Sequence, residues 1–156
     1  MEVKRLHTIA ILVDNLEEAV SFYEDVLGLK RPGSGPYSKG IVRDEPGLRM
    51  RIEFVRATND TLLELVEPQE GPRLKLLHER GAGTVYRIGY LVDDIEKAYE
   101  EIRSRGIVPT DGFDQPLDGR KYVTSGTGAK YFVLPPNKTG GTPIEIIEAS
   151  VDDWCD

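Results

Sequence analysis

The sequence predicts an α+β fold built from two βαβββ modules, on three observations. "LVDNLEEA" (Leu12 to Ala19) and "LVDDIEKA" (Leu91 to Ala98) match at five of eight positions, 79 residues apart, which is about half of the 156-residue chain. Each copy follows an alternating apolar run, the period of a strand, and leads into helical spacing that ends in a glycine. Extended segments then follow in the same order in both halves. Neither module can bury its sheet alone, so the two sheets are expected side by side as one curled, mixed-sheet cup with the helices outside. A ligand would lie in its concave interior. The modules are expected to span 1–78 and 79–156 as one domain made of two repeats.

In the first module, alternation puts Ile9, Ile11 and Val13 on the strand face toward the helix, and Thr8, Ala10 and Leu12 on the other. The helical pattern "VSFYEDVLGL" closes at Gly28, which suits a left-handed cap, and Pro32 prevents further helix. A short strand near Gly40 to Arg43 is expected, then Arg49 to Arg56 and Thr61 to Glu67, joined by the turn "ATND". In the second module Ile88, Tyr90 and Val92 face the helix, while Arg87, Gly89 and Leu91 turn away. Its helix ends at Gly106, ahead of Pro109. Segments at Lys121 to Thr124, Lys130 to Leu134 and Pro143 to Glu148 complete the pattern, the last two joined by the turn-rich "PPNKTGG". Leu63, Leu65, Ile144 and Ile146 fall on the helix side, which sends Glu64 and Glu145 to the opposite face.

A net charge of -7 repels phosphate backbones and argues against nonspecific nucleic-acid binding. The one cysteine, Cys155, allows no internal disulfide. "MEVKRLH" lacks the apolar segment of a signal peptide and no 18 apolar residues run together, so a cytoplasmic location and no membrane partner are expected.

"TIAILVDNLEEAVSFYEDVLGL", "RIGYLVDDIEKAYEEIRSRGI" and "LPPNKTGGTPIEIIE" resemble the vicinal oxygen chelate superfamily, which includes glyoxalase I, bleomycin-resistance proteins, extradiol dioxygenases and methylmalonyl-CoA epimerases. The final Pro-x-x-Thr-Gly-Gly-x-x-Ile-Glu looks most like the epimerase and glyoxalase branch. In metal-dependent members, a His opening each module's first strand and a Glu or Gln in each module's last strand bind a divalent ion. Aligned on the "LVD" anchors, the resemblance puts those four positions at Thr8, Arg87, Glu64 and Glu145. Both histidines are replaced and both carboxylates remain.

The chemistry at these positions follows from Arg87. A guanidinium is always charged, offers only donors and cannot ligate a cation. Beside Glu64 and Glu145 it would stand where a dication stands in relatives, so no metal and no cofactor are expected. The alternative is a weak divalent site of Glu64 and Glu145, which Arg87 would repel. His7 lies one residue from Thr8, a step that turns a strand side chain to the other face; only a bulge would bring it to the site. His78, in "KLLHERGAG", is expected to be exposed. Glu145, Glu64 and Arg87 are the candidate catalytic groups, with Thr8 and Gly89 as ligand-binding neighbours. Glu53 and Arg51 join them if "ATND" closes as a two-residue turn about Asn59-Asp60, which sets Val55 opposite Glu64; a three-residue loop would reverse both.

Weaker signals are expected to be structural. "SGTGAK" (Ser125 to Lys130) lacks the ending of a phosphate loop and reads as a turn. Arg31 to Gly40 is either a cover for the cup or a surface connection. The basic run Lys39, Arg43, Arg49, Arg51, Arg56 reads as a solvated face ahead of a coenzyme A clamp. The expected function is glyoxalase- or epimerase-like, an isomerase or lyase acting on a small carbonyl or thioester compound by carboxylate-mediated proton transfer. The alternative is a noncatalytic protein of the bleomycin-resistance type that binds an antibiotic or metabolite. The resemblance also implies a homodimer.

Overall fold

The structure, a computed structural model, describes residues 1–58 and 61–149. The first module contains β1 (Arg5–Leu12), α1 (Leu16–Ser21), β2 (Ile41–Glu45), β3 (Leu48–Arg56) and β4 (Leu62–Pro68), followed by α2 (Pro72–Arg80). Its strands lie in the order β2-β3-β4-β1, with β1 parallel to β4 and the other pairs antiparallel. The second module repeats this with β5 (Val85–Leu91), α3 (Ile95–Ser104), β6 (Val123–Thr124), β7 (Lys130–Leu134) and β8 (Ile144–Glu148). Its order is β5-β8-β7-β6, with β5 parallel to β8. Both modules are therefore βαβββ, and the fold is α+β with mixed sheets.

The chain forms two compact units that divide inside β1 and β5: Thr8–Tyr86 in one, and Met1–His7 with the stretch beginning at Arg87 in the other. Residues 78 and 79, between which the modules were expected to part, lie in α2. Among the described residues no helix is long and apolar enough to cross a membrane.

The two module helices start by one shared device. Asn15 and Asp94 are N-caps whose side chains accept from the amides of Glu18 and Lys97, each at 3.0 Å. A carboxylate from the closing strand of the same module adds a second acceptor. Glu67 accepts from the Leu16 amide at 2.8 Å, and Glu148 from the Ile95 amide at 2.9 Å. These amides are otherwise orphaned at a helix start, and a cap of this kind contributes about 1 kcal/mol. The negative charge also suits the positive end of the helix dipole.

Each helix covers one face of its sheet, as alternation predicts. Val13, Leu16, Val20, Val55 and Leu65 form the first core, with Ile11 and Leu63 against it. Val92, Ile95, Ala98, Ile102, Phe132 and Ile146 form the second, joined by Tyr90 and Ile144. Truncating a fully buried aromatic such as Phe132 would cost about 3–5 kcal/mol.

Two departures from the repeat have local causes. After Ser21 the first helix widens into a π-helical turn, Phe22–Val26, that α3 lacks. Gly28 lies sixteen residues after Leu12, whereas Gly106 lies fifteen after Leu91, so the first copy has one residue more to place. A π turn absorbs a single extra residue without breaking the helix. "PPNKTGG" is not turn alone: Pro136–Thr139 forms a short helix, α4, capped by Gly140 in the left-handed conformation. In Arg31 to Gly40, a 3₁₀ turn (Pro36–Lys39) buries Tyr37 edge-on to Phe54, ring centroids 5.0 Å apart, so this segment is anchored to the first sheet.

Candidate functional site

Register decides which side chains leave the helix-covered faces. In the first sheet Ala10 lies opposite Glu64 and Thr8 opposite Leu62, so Thr8, Ala10 and Glu64 share the face turned away from α1. In the second, Gly89 lies opposite Glu145, and Arg87, Gly89 and Glu145 share the face turned away from α3. The Ala10–Glu64 and Gly89–Glu145 pairs occupy the same register in the two modules. Thr8 and Arg87 are thus matched positions, one strand residue-pair earlier.

Arg87 and Glu145 meet. Nε of Arg87 is 3.4 Å from Oε2 of Glu145, with both side chains about one-tenth exposed. Leu91, Ile147, Ala129 and Tyr131 form a small apolar cluster farther along. Thr8 is buried and Glu64 half-buried. The segment Thr110 to Pro116 returns along β7: Thr110 and Val133 exchange backbone hydrogen bonds of 2.8 and 3.0 Å.

Glu53 and Arg51 go elsewhere. Asn59 and Asp60 lie outside the described residues, but the strands they join pair with Phe54 opposite Glu64 and Val55 opposite Leu63. That is the register of the longer loop, so Arg51 and Glu53 stand on the α1 side, opposite to Glu64. They are not simply solvated there. With Glu17, Glu24 and Arg31 they line an open cleft beside α1. Arg31 bridges Glu24 at 2.8 Å and Glu53 at 3.2 Å, and Arg51 pairs with Glu17 and, at 3.6 Å, Glu67. The hydrogen bond from Arg51 holds the Glu17 carboxyl below its usual range. Two further residues of the basic run are also met by acids: Arg43 by Glu45, and Arg49 by Asp44 and Glu70.

His7 is fully buried in an unbroken β1, on the face opposite to Thr8 by alternation. His78 is exposed on α2. Burial, with the nearby Arg5 charge adding to it, lowers the His7 pKa to about 4, so its imidazole is neutral. The unfolded chain takes up a proton near pH 6.5 that the folded chain refuses until about pH 4, so stability falls as pH drops through that window. The loss is expected to reach roughly 3 kcal/mol. Melting temperatures measured from pH 7 to pH 4 should fall more steeply for the wild-type chain than for His7→Gln; parallel curves would contradict this.

Tyr86 is buried beneath the Arg73 guanidinium, 5.0 Å from its ring centre, and Arg73 also donates to the Met50 sulfur at 2.9 Å. "SGTGAK" is a turn closed by hydrogen bonds from Ser125 to Ala129 and from Gly128 to Ser125. Among the described residues no three His, Cys, Asp or Glu side chains gather so as to hold a metal ion. The donors at the four family positions are a hydroxyl, a guanidinium and two carboxylates, one of them facing the guanidinium. They do not fit the four-ligand set of metal-dependent members.

The sequence model of the glyoxalase/bleomycin resistance protein/dioxygenase superfamily matches residues 5–146. The chain belongs to that superfamily. Ethylmalonyl-CoA/methylmalonyl-CoA epimerase of Cereibacter sphaeroides is 30% identical over 106 residues, 67% of this chain and 72% of that protein. The mitochondrial methylmalonyl-CoA epimerase of Mus musculus is 29% identical over 147 residues, 93% of this chain and 73% of its own length. Among solved structures, methylmalonyl-CoA epimerase from Mycobacterium tuberculosis superposes with a TM-score of 0.73 at 21% identity, over 95% of this chain and 89% of that one. A hypothetical protein from Bacillus halodurans C-125 gives 0.70 at 26% identity, covering 94% of each chain. A further methylmalonyl-CoA epimerase, solved with methylmalonyl-CoA and NH4+, gives 0.72 at 21% identity, over 96% of each chain. The superfamily member thus has epimerases among its relatives at modest identity.

Proposed function

We propose that this superfamily member is an epimerase-like enzyme that moves a proton on the carbon next to a thioester or other carbonyl, using carboxylates and an arginine in place of a tightly bound metal. The observation that carries the reading is the buried Arg87–Glu145 pair on the sheet face that α3 leaves uncovered. A carboxylate removes the α-proton; the C–H electron pair becomes the enolate double bond, and the carbonyl π pair moves onto oxygen. Proton return from the opposite side inverts the carbon, and return from the same side restores it. Such a step needs a base within reach and positive charge on the developing oxyanion. Glu145 is the proposed base, with Glu64 as the matching carboxylate of the first module. Arg87 stands with Nε 3.4 Å from Oε2 of Glu145, and its guanidinium is the proposed positive charge beside the enolate oxygen. Thr8 and Gly89 are proposed to contact the ligand.

The kinship with epimerases makes acyl-CoA thioesters bearing a free carboxylate the first compounds to test; the proposed form is a cytoplasmic homodimer without cofactor. Incubation with methylmalonyl-CoA in deuterated buffer, followed by mass spectrometry, should reveal α-deuterium incorporation that chelator leaves unchanged. Exchange that disappears with chelator and returns with a divalent ion would overturn the metal-independent reading. No exchange with any acyl-CoA, together with thermal stabilisation by a cationic antibiotic, would favour a binding protein of the bleomycin-resistance kind.

A further inference from the structure

We propose that Gly112 is a positioning residue that fixes where the Arg87 guanidinium stands; this deepens, and rests on, the reading of Arg87 as the cation of the reaction. Gly112 has φ +94°, in the left-handed region. A β-carbon at this position would lie 2.7 Å from Nη1 of Arg87, 3.3 Å from Cγ2 of Val133 and 3.8 Å from Cε2 of Tyr131. β-carbons essentially never approach other heavy atoms within 3.0 Å, so the arrangement exists only with hydrogen at that place.

The surroundings decide what gives way. The loop is tied on both sides of Gly112. Thr110 is paired to Val133 on β7, the Asp111 amide donates to the Gln115 carbonyl at 3.0 Å, and the Tyr131 hydroxyl donates to the Asp111 carbonyl at 3.4 Å. The Asp111 carboxylate accepts from the amides of Phe113, at 2.8 Å, and Gln115, at 3.2 Å, an Asx-type closure of the turn. Val133 and Tyr131 are themselves strand residues paired to Glu145 and Ile147. Of these three atoms, the arginine tip is the one that ends a long, rotatable side chain. A methyl group at 112 would therefore push the guanidinium, whose Nη1 lies against Gly112 while its Nε lies 3.4 Å from Oε2 of Glu145.

The loop backbone at Gly112 and the β8 carboxylate of Glu145 thus both bound the arginine's berth. A misplacement of about 1 Å at a group that must meet a developing charge can cost roughly 100-fold in rate. Gly112 acts through Arg87 and need not touch substrate.

Gly112→Ala tests this. In the deuterium-exchange assay kcat is expected to fall roughly 10- to 100-fold, with KM little changed. Alanine at positive φ carries backbone strain of its own, so a second measurement separates strain from displacement. Melting temperature is compared for Gly112→Ala in the wild-type chain and in Arg87→Met, which keeps the aliphatic stem and removes the guanidinium; Arg87→Gln serves if the methionine variant fails to fold. The decrease should be larger when Arg87 is present, because only then does the methyl group meet Nη1. Equal decreases in both backgrounds, or an undiminished kcat in Gly112→Ala, would overturn the proposal. If the wild-type chain catalyses no exchange, the proposed function fails, while the melting comparison still reports whether Gly112 and Arg87 are coupled.

Discussion

Glu145→Gln is expected to slow α-proton exchange by roughly 100- to 10,000-fold, the range over which a positioned general base contributes. The amide keeps the shape of the carboxylate and leaves an oxygen near Nε of Arg87, so the backbone pairing of the second sheet should remain. What it cannot do is take a proton. The loss should therefore appear in kcat of the folded protein, while the melting temperature also falls, because Arg87, itself buried, loses the charge facing it at a cost of about 3–5 kcal/mol. Glu64→Gln, measured alongside, assigns the share of the first-module carboxylate. An enantiomer-resolved assay adds direction, because a chain with one remaining base should still exchange substrate of one hand. Full-rate exchange of both enantiomers in Glu145→Gln would remove that residue from the mechanism.

Arg87→Met is expected to damage stability and activity together. Glu145 would keep its place at 7% exposure but lose the guanidinium facing it. Removing one partner of a buried ion pair costs about 3–5 kcal/mol, chiefly the penalty of leaving the other charge in a poorly solvating place. Loss of the charge that stabilises an oxyanion lowers kcat by about 100- to 1,000-fold. The double variant Arg87→Met/Glu145→Gln separates these effects: neutralising both partners should recover much of the stability and none of the exchange. A double variant no more stable than Arg87→Met would show that the pair is not coupled as its geometry indicates.

Much of this was legible because two periodicities agreed. The repeated "LVD" anchors located β1 and β5, and alternation then divided Ile9, Ile11 and Val13 from Thr8, Ala10 and Leu12 without reference to any neighbour. The same reasoning sent Glu64 and Glu145 away from the helices, where register places them. It failed where a single residue decides. "ATND" is compatible with either hairpin loop, and the longer one exchanges the faces of Arg51 and Glu53, so the two groups assigned to the Glu64 side stand beside α1. The π-helical turn did leave a trace, the unequal spacing from anchor to glycine in the two copies. Gly112 left none that periodicity could catch, because what distinguishes it is the approach of Arg87, twenty-five residues away in sequence.

The carboxylates of Glu67 and Glu148 bear on how the halves come to be ordered. Each reaches a helix start 51 or 53 residues earlier in the chain. The helices they engage are six and ten residues long, too short to persist in water unaided. A nascent chain therefore cannot stockpile finished helices while it waits for its strands. The clasp closes only when the terminal strand of that half is in place, so helix start and closing strand are expected to become ordered together, after a long loop has been drawn shut.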